Sequence, residues 1–380
     1  MRLPQRWPLH PPPTQGESLS SWLSRVARCY RMGLQEILEH DLGHGRLDHL
    51  DMAPPAALLD ALTRRSGFAP EQLRGLTLAG LTPWLLDRVD PGPDPGAYDL
   101  YVGQFSVLLP AGRHPSREVP GWRAWVAREP IPRACPRCLE ASGNRVLLLL
   151  WQIPLSVGCP VHGCRLERYL GTPGNFLAWE AEHMSPSPVP EACVAMDRRT
   201  WQALAHGYVD LPRRRVHAGV WFRLLRSLVE DLLAARSRYP AQGRDLCWIW
   251  ERSGHPIRAG LGAWRPFESL DLSMQLRVLE AAATAMRMIE TGELVGRGAQ
   301  AGLFRPEPLV PIVEDPTPAV SSWRRVADAA AAAIGEARRD PQVAQELFRA
   351  VLFGRTDADA IRQVRKLLLE VGIPPEHLSQ

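Results

Sequence analysis

Two pairs of closely spaced soft ligands constrain the fold of this chain more than any other feature of its sequence. C-P-R-C at residues 135–138 is followed by C-P-V-H at residues 159–162. Each pair can bend back so that both side chains reach one ion, which is how tetrahedral zinc is held in ribbons and fingers. We therefore expect one structural zinc ion per chain, bound by Cys135, Cys138, Cys159 and His162. Two interpretations stay open, namely Cys164 in place of His162 and a thiol-rich core or redox pair without metal.

This set of ligands argues against catalysis. Three thiolates and one imidazole fill all four positions of a tetrahedral ion, so that none is left for water. The sequence also lacks the H-E-x-x-H motif of zinc hydrolases and the H-x-E and P-C-x-x-C pair of zinc deaminases. We therefore expect that the protein is not an enzyme, although its scattered carboxylates leave a three-carboxylate nuclease site open.

Composition excludes several classes of protein. A chain of 380 residues has room for two or three domains. No apolar run approaches the roughly 18 residues that cross a membrane, and the first residues lack the apolar segment of a secretory signal. Metal binding accounts for three of the seven cysteines, or four if Cys164 is a ligand. We therefore expect no disulfide framework and a location in the reducing cytoplasm.

The scarcity of lysine bears on nucleotide binding. The net charge is +4 and the cations are almost all arginine, so charge alone indicates no partner. A phosphate-binding G-x-x-x-x-G-K-[ST] loop needs a lysine, and Lys366 stands in V-R-K-L-L-L without the glycines. We expect no P-loop in this chain, and any ATP that its function requires would be hydrolysed by another subunit.

The N-terminal part has the outline of a helix-turn-helix. Ser18 is placed to cap a first helix, and Gly33 separates it from a second, shorter one. Apolar residues at helical spacing are Leu19, Trp22, Leu23, Val26, Ala27 and Tyr30 in the first helix and Leu34, Ile37, Leu38 and Leu42 in the second. Such a pair is either a packing unit or a DNA reader, in which case Arg25, Arg28 and Arg31 would contact phosphates.

These patterns predict a mainly α, multi-domain helical protein with helix-turn-helix-like units and a small zinc-ribbon or zinc-finger module. The apolar run at 146–151 predicts a buried strand inside that module. His40, His44 and His49 lie across a glycine break, which favours loop histidines over metal ligands. The predicted divisions are a domain at 1–170 with the zinc module at about 130–170, a linker at 171–192, a helical domain at 193–304, a proline-rich linker at 305–319 and a helical unit at 320–380.

Arginine dominates the segment from residue 197 to residue 226. Seven arginines accompany two aspartates there, and aromatic residues are interleaved with them. Because guanidinium groups attract a polyanion and fork onto its phosphates, the segment predicts contact with nucleic acid. The alternative is a solvated helix face beside a buried aromatic stripe. The candidate contacts are Arg198, Arg199, Arg213, Arg214, Arg215, Arg223 and Arg226.

Two separated motifs resemble the TniQ/TnsD family of transposition target-selection proteins. G-E-S-L-S-S-W-L at 16–23 resembles the opening motif of that family. The residues that resemble its zinc motif, in order and approximate spacing, are C-P-R-C-L at 135–139, Trp151, C-P-V-H-G at 159–163 and Leu166. The resemblance covers about residues 10–170 and places the zinc on the same four ligands. W-R-P-F-E at 264–268 is similar to a stretch of longer members.

The resemblance implies an adaptor. Members of the family recognise a target, either DNA directly or a target-bound CRISPR guide complex, and recruit an AAA+ ATPase regulator that brings the transposase. The zinc-stapled N-terminal half would then dock the ATPase, and the arginine-rich middle and C-terminal helices would engage DNA or another targeting partner. The implied location is the cytoplasm, associated with the nucleoid and without a membrane partner, and a homodimer is left open. The alternative is a zinc-ribbon, helix-turn-helix transcription regulator that acts without transposition machinery.

Overall fold

Helices form most of the structure, which confirms the predicted mainly α class. The computed structural model describes residues 6–45, 50–81, 85, 96–110, 118–126, 131–141, 146–168, 171–172, 175–176, 186–234, 243–257, 265–306, 331–352 and 357–378. Among these residues, no helix is both long enough and apolar enough to cross a membrane.

The helices are short in the N-terminal part and long in the middle of the chain. The first six are α1 (Leu19–Cys29), α2 (Leu34–Glu36), α3 (Ala56–Ser66), α4 (Pro70–Arg74), α5 (Ala97–Val102) and α6 (Pro136–Ala141). The next four are α7 (Glu191–His206), α8 (Ala218–Leu233), α9 (Gly243–Arg252) and α10 (Leu272–Glu290). A helical segment at 331–337 (α11), α12 (Pro341–Leu352) and α13 (Ala358–Glu370) follow.

The described strands form three small antiparallel pairs. In the first pair, β1 (Arg133–Ala134) and β2 (Glu167–Arg168) enclose the predicted zinc module. The second pair is β3 (Gly171–Thr172) with β4 (Asn175–Phe176). The third is a hairpin between α7 and α8 in which β5 (Tyr208–Asp210) lies against β6 (Arg215–His217).

The strand predicted at 146–151 is wrong. Leu148 forms only an isolated bridge with Glu17, and a 3-10 helix then runs over Leu149–Gln152. The segment is buried as expected, with Trp151 2% exposed. Its backbone partners lie near residue 17 and not in a neighbouring strand of the module, so no ribbon strand forms.

Helix α1 is buried on all sides and is a packing element. Ser18 caps it by accepting a hydrogen bond from the Ser21 amide, and every residue from Leu19 to Ala27 is buried. Arg25 forms an ion pair with buried Glu17 at 2.6 Å, so this arginine is not available to a phosphate. The helix-turn-helix outline is therefore present, and of its three predicted phosphate contacts Arg28 and Arg31 are exposed whereas Arg25 is buried.

The second helix of that pair carries acidic side chains. Helix α2 continues into a π-helical turn at Ile37–Asp41, in which Ile37 and Leu38 face the core. Glu36 and Glu39 are exposed on the outer side. Since a carboxylate face repels phosphate, the structure favours the packing interpretation of this unit over DNA reading.

Residues 1–309 form one compact unit and residues 310–380 a second. In the first unit, one hydrophobic core joins Leu149 and Val157, from the segment that leads to the predicted ligand Cys159, with Met196, Trp221 and Val278 of the later helices. The predicted domains 1–170 and 193–304 therefore share a core across the predicted linker at 171–192. The boundary between the compact units falls inside the predicted linker at 305–319.

The C-terminal unit has a small core of its own. Ala344 of α12 and Leu368 of α13 pack with Ala337, Ile373 and Leu378. Asp357 caps α13 by accepting a hydrogen bond from the Ala360 amide at 2.7 Å.

Candidate metal centre and arginine-rich surface

The four predicted ligands converge on one point. The Nδ1 atom of His162 lies 3.5 Å from the sulfur of Cys135, 3.2 Å from that of Cys138 and 3.6 Å from that of Cys159. The sulfurs of Cys138 and Cys159 are 3.7 Å apart. Zinc bonds of about 2.3 Å to sulfur and about 2.0 Å to nitrogen give tetrahedral edges of roughly 3.5–3.8 Å. The side chains present therefore fit a four-coordinate ion.

Cys164 lies beside this group without joining it. Its sulfur is 3.4 Å from that of Cys135. The ligand atoms that all lie within 4.8 Å of one another belong to Cys135, Cys138, Cys159 and His162, and Cys164 is not among them. The geometry favours His162 over Cys164 as the fourth ligand.

Among the described residues, these four form the only group of three or more His, Cys, Asp or Glu side chains that can hold a metal ion. His40 and His44 belong to no such group, in keeping with the prediction of loop histidines. His49 lies outside the described residues.

The second ligand pair sits on a tight turn. The Cys159 amide donates to the Cys164 carbonyl at 2.8 Å, and the Gly163 amide donates to the Cys159 carbonyl at 2.9 Å. Gly163 adopts φ 61°, a conformation that glycine takes without steric cost. This turn brings the imidazole of His162 close to the sulfur of Cys159. The local sequence therefore positions two of the four candidate ligands.

The three ligand thiols differ in pKa, since those of Cys135 and Cys138 are raised and that of Cys159 is lowered. Hydrogen bonds from the thiols of Cys135 and Cys138 lower the pKa of Cys159, and the backbone amides of His162 and Val161 act in the same direction. A thiolate is the form that ligates metal. Cys159 is therefore the thiol of this group that most readily becomes the ligating thiolate.

Helix α7 holds the second ligand pair through a buried carboxylate. Asp197 is fully buried and accepts hydrogen bonds from the amides of Gly158 at 2.7 Å and Val157 at 3.2 Å. Burial raises the pKa of Asp197 to about 8, against the effect of these amides and of Arg133. The next residue, Arg198, donates to the Pro160 carbonyl at 3.3 Å. Two successive residues of α7 thus fix the segment that carries Cys159.

The G-E-S-L-S-S-W-L motif attaches α1 to the zinc module. The Ser18 amide donates to the Leu147 carbonyl and the Leu149 amide donates to the Gly16 carbonyl, both at 2.9 Å. The Ser21 hydroxyl accepts from the Leu147 amide at 2.9 Å. These contacts give the small polar residues of the motif a structural role.

Asp51 completes this attachment and was not singled out from the sequence. Its carboxylate accepts hydrogen bonds from the Ser20 amide and hydroxyl, both at 2.6 Å, and from the Gln152 side chain at 2.7 Å. Burial raises the pKa of Asp51. An isolated aspartate in a loop gives no sequence signal of this role, because both partners are distant in the chain.

Three of the seven candidate arginines are buried or half-buried and contact other side chains of the fold. Arg226 is fully buried and pairs with Glu230 at 2.6 Å and Glu268 at 3.2 Å, so its prediction as a nucleic-acid contact is contradicted. Arg199 pairs with Glu290 at 2.5 Å. The guanidinium of Arg223 lies 4.5 Å from the centre of the Tyr101 ring.

Glu268 explains the W-R-P-F-E stretch, of which residues 265–268 are described. Besides Arg226, its carboxylate accepts hydrogen bonds from the Trp122 side chain at 2.8 Å and the Trp125 amide at 3.0 Å. Phe267 is fully buried beside it. This stretch therefore organises the core that surrounds Arg226.

The other four candidates lie on α7 and the β5–β6 hairpin. Arg198, Arg214 and Arg215 are exposed, and Arg213 is half-buried. Arg215 pairs with Asp210 at 2.7 Å in an exposed setting. The structure thus keeps Arg198, Arg214 and Arg215 exposed and buries Arg226, and the remaining three arginines are half-buried.

Comparison with known proteins agrees with these observations. Residues 8–166 match the TniQ family model, and this segment contains the opening motif and all four ligands. No curated protein and no solved structure matches the chain. The chain therefore carries a TniQ domain at residues 8–166.

Proposed function

We propose that this protein is a target-selection adaptor in transposition. It binds target DNA or a target-bound complex and recruits an AAA+ ATPase regulator, which brings the transposase. The observation that carries this proposal is the TniQ match over residues 8–166. It acts in the cytoplasm at the nucleoid.

The metal centre supports an adaptor over an enzyme. Three sulfurs and one imidazole nitrogen lie at tetrahedral spacing, which is the donor set of a structural zinc site. One zinc ion per chain would then hold Cys135, Cys138, Cys159 and His162 together, and no position would remain for a reacting water molecule. The role of this centre is to fix the surfaces that partners recognise.

Different parts of the chain take different roles. The TniQ domain docks the ATPase, and the surface of α7 and the β5–β6 hairpin, with the C-terminal helices, engages the target. Exposed Arg198, Arg214 and Arg215 support contact with a polyanion. Binding of this kind weakens steeply with salt, because each neutralised phosphate releases counterions.

The test uses the full chain with the AAA+ ATPase of the same mobile element. Immobilised protein should retain the ATPase, and retention should increase when a duplex carrying the insertion site is added. Anisotropy titrations at several salt concentrations measure the DNA contact separately. Retention of DNA without the ATPase would overturn the adaptor and favour a transcription regulator. Retention of neither partner would overturn the proposal altogether.

A further inference from the structure

One face of α7 continues into the outer face of the β5–β6 hairpin. Arg198, Gln202 and His206 are spaced four residues apart, so they lie in a row along the helix. The Gln202 side chain donates to the Asp210 carboxylate at 2.8 Å and accepts from the Asp210 amide at 3.2 Å. The helix row and the hairpin therefore form one continuous surface.

Because the hairpin strands are pleated, their side chains alternate between an outer and an inner face. Tyr208 lies opposite His217 and Asp210 opposite Arg215, and because successive residues alternate, these four share the outer face. The residues between them, Val209 and Val216, are buried on the inner face. The guanidinium of Arg215 lies 4.0 Å from the centre of the Tyr208 ring. We call this set the hairpin surface; it comprises the exposed residues Arg198, His206, Asp210, Arg214 and Arg215 and the half-buried residues Gln202 and Tyr208.

The hairpin is fixed to the body of the protein. At its turn, the Leu211 amide donates to the Arg214 carbonyl and the Arg213 amide donates to the Leu303 carbonyl, both at 3.2 Å. Together with the buried valines, these bonds hold the exposed Arg214 in place. A surface that is already ordered loses little conformational entropy when a partner binds.

The hairpin surface carries a net positive charge and contains one acidic side chain. Three arginines accompany a single carboxylate, that of Asp210. The Arg215 guanidinium and the Gln202 amide donate to it and lower its pKa, so it is ionised at neutral pH. Asp210 therefore occupies the same guanidinium that a phosphate would need.

We infer that the hairpin surface is the contact for duplex DNA, with Arg198, Arg214 and Arg215 on phosphates and Asp210 limiting the affinity. This inference rests on the proposed function and names its DNA-binding element. A two-stranded ribbon is one of the elements that the major groove admits, and the β5–β6 turn presents Arg214 at its tip. Asp210 competes with phosphate for Arg215 and repels the backbone.

The decisive variant is one that gains binding. Asp210→Asn removes the competing charge but keeps a side chain that can bond to Gln202. We expect full-length Asp210→Asn to bind a 30-base-pair duplex several-fold more tightly than wild type in anisotropy titrations. A misfolded variant would not gain affinity, so thermal melting needs only to show an unchanged Tm.

Loss-of-charge variants complete the test. Arg214→Ala with Arg215→Ala should weaken binding and make the slope of log K against log salt shallower by about 2, since each phosphate contact contributes about 0.9. Arg287→Ala, which removes an exposed arginine of α10, is the matched control and should bind like wild type.

Four results would overturn the inference. The first is unchanged or weaker binding by Asp210→Asn at an unchanged Tm, and the second is a double arginine variant that binds DNA like the Arg287→Ala control. The third is a double variant that keeps DNA and loses the ATPase or a guide complex, which would make the hairpin surface a protein interface. The fourth concerns the wild-type protein. If wild-type protein retains the ATPase but binds no duplex, the inference fails while the adaptor proposal stands.

Discussion

The carboxylate of Asp197 lies 2.7 Å from the backbone nitrogen of Gly158, the residue that precedes the ligand Cys159. Through this bond, helix α7 carries both a fastening for the metal centre and, one residue later, an arginine of the exposed surface. The position of the second ligand pair is thus set by a residue that lies far from it in the sequence.

Asp197→Asn should destabilise the protein by about 1–3 kcal/mol, because both carboxylate oxygens accept backbone hydrogen bonds and an amide offers only one acceptor. Chemical denaturation measures the change, and the rate of metal transfer to a chromogenic chelator should rise. Asp60→Asn, at an exposed position of α3, serves as the control. Equal stability of the two variants would contradict the role of Asp197.

Purified protein should contain about one zinc ion per chain. Cys159→Ser and His162→Ala should lose it, whereas Cys164→Ser and the exposed Cys29→Ser should keep it. Cobalt substitution reports the coordination, and mass spectrometry of bound metal reports the stoichiometry. Loss of metal from Cys164→Ser with retention in His162→Ala would reverse the assignment of the fourth ligand.

Acidification or chelation should release the metal and loosen residues 131–168. Protons compete with the ion for three thiolates and one imidazole, so affinity falls as the pH decreases. The local core contains few large side chains, among them Trp151 and Leu166, and depends on the ion as a cross-link. Limited proteolysis at pH 7.5 with and without chelator checks this. An identical cleavage pattern would show that the ion does not stabilise the segment.

Arg226→Ala should destabilise the fold by about 3–5 kcal/mol, because it leaves Glu230 and Glu268 buried without their cation. Under conditions in which the variant stays folded, its DNA affinity should depend on salt concentration as steeply as that of the wild type. Arg214→Ala should show the opposite pattern, with unchanged stability and a shallower slope. A shallower slope in Arg226→Ala would place this side chain at the DNA after all.

Ser21→Ala should cost about 1–3 kcal/mol, because the Leu147 amide loses its acceptor in a buried setting. Ser24→Ala is a matched control on the same helix. Its hydroxyl donates to the Ser20 carbonyl, a group that also takes part in the helix, so its loss should cost less. Thermal and chemical denaturation of both variants tests whether the N-terminal motif fastens the zinc module.

The features that the sequence predicted correctly depend on residues close to one another in the chain. The four metal ligands come from two short segments, and their spacing alone selected the set that the structure brings together. The cap of α1 at Ser18 was also readable, because capping depends on neighbouring residues.

Contacts between residues that are far apart in the sequence could not be predicted in this way. The fold turns Arg226 inward, towards Glu268 forty-two positions later, and a sequence without tertiary contacts treats it as one more surface arginine. For the same reason, the sequence showed Asp197 only as one of two acidic residues among seven arginines. The apolar run at 146–151 resembled a strand because burial and β structure share a composition, whereas its backbone partner is the segment near Glu17.

The core that joins Leu149 and Val157 to Trp221 and Val278 has a practical consequence for mapping partners. A truncation after residue 170 would strip the later helices from that core and leave a large apolar surface open to water, which promotes aggregation. Pull-downs with such fragments would report non-specific binding to this apolar surface. Point substitutions in the intact chain, or truncations placed near residue 309, keep this core whole and can assign each partner to its surface.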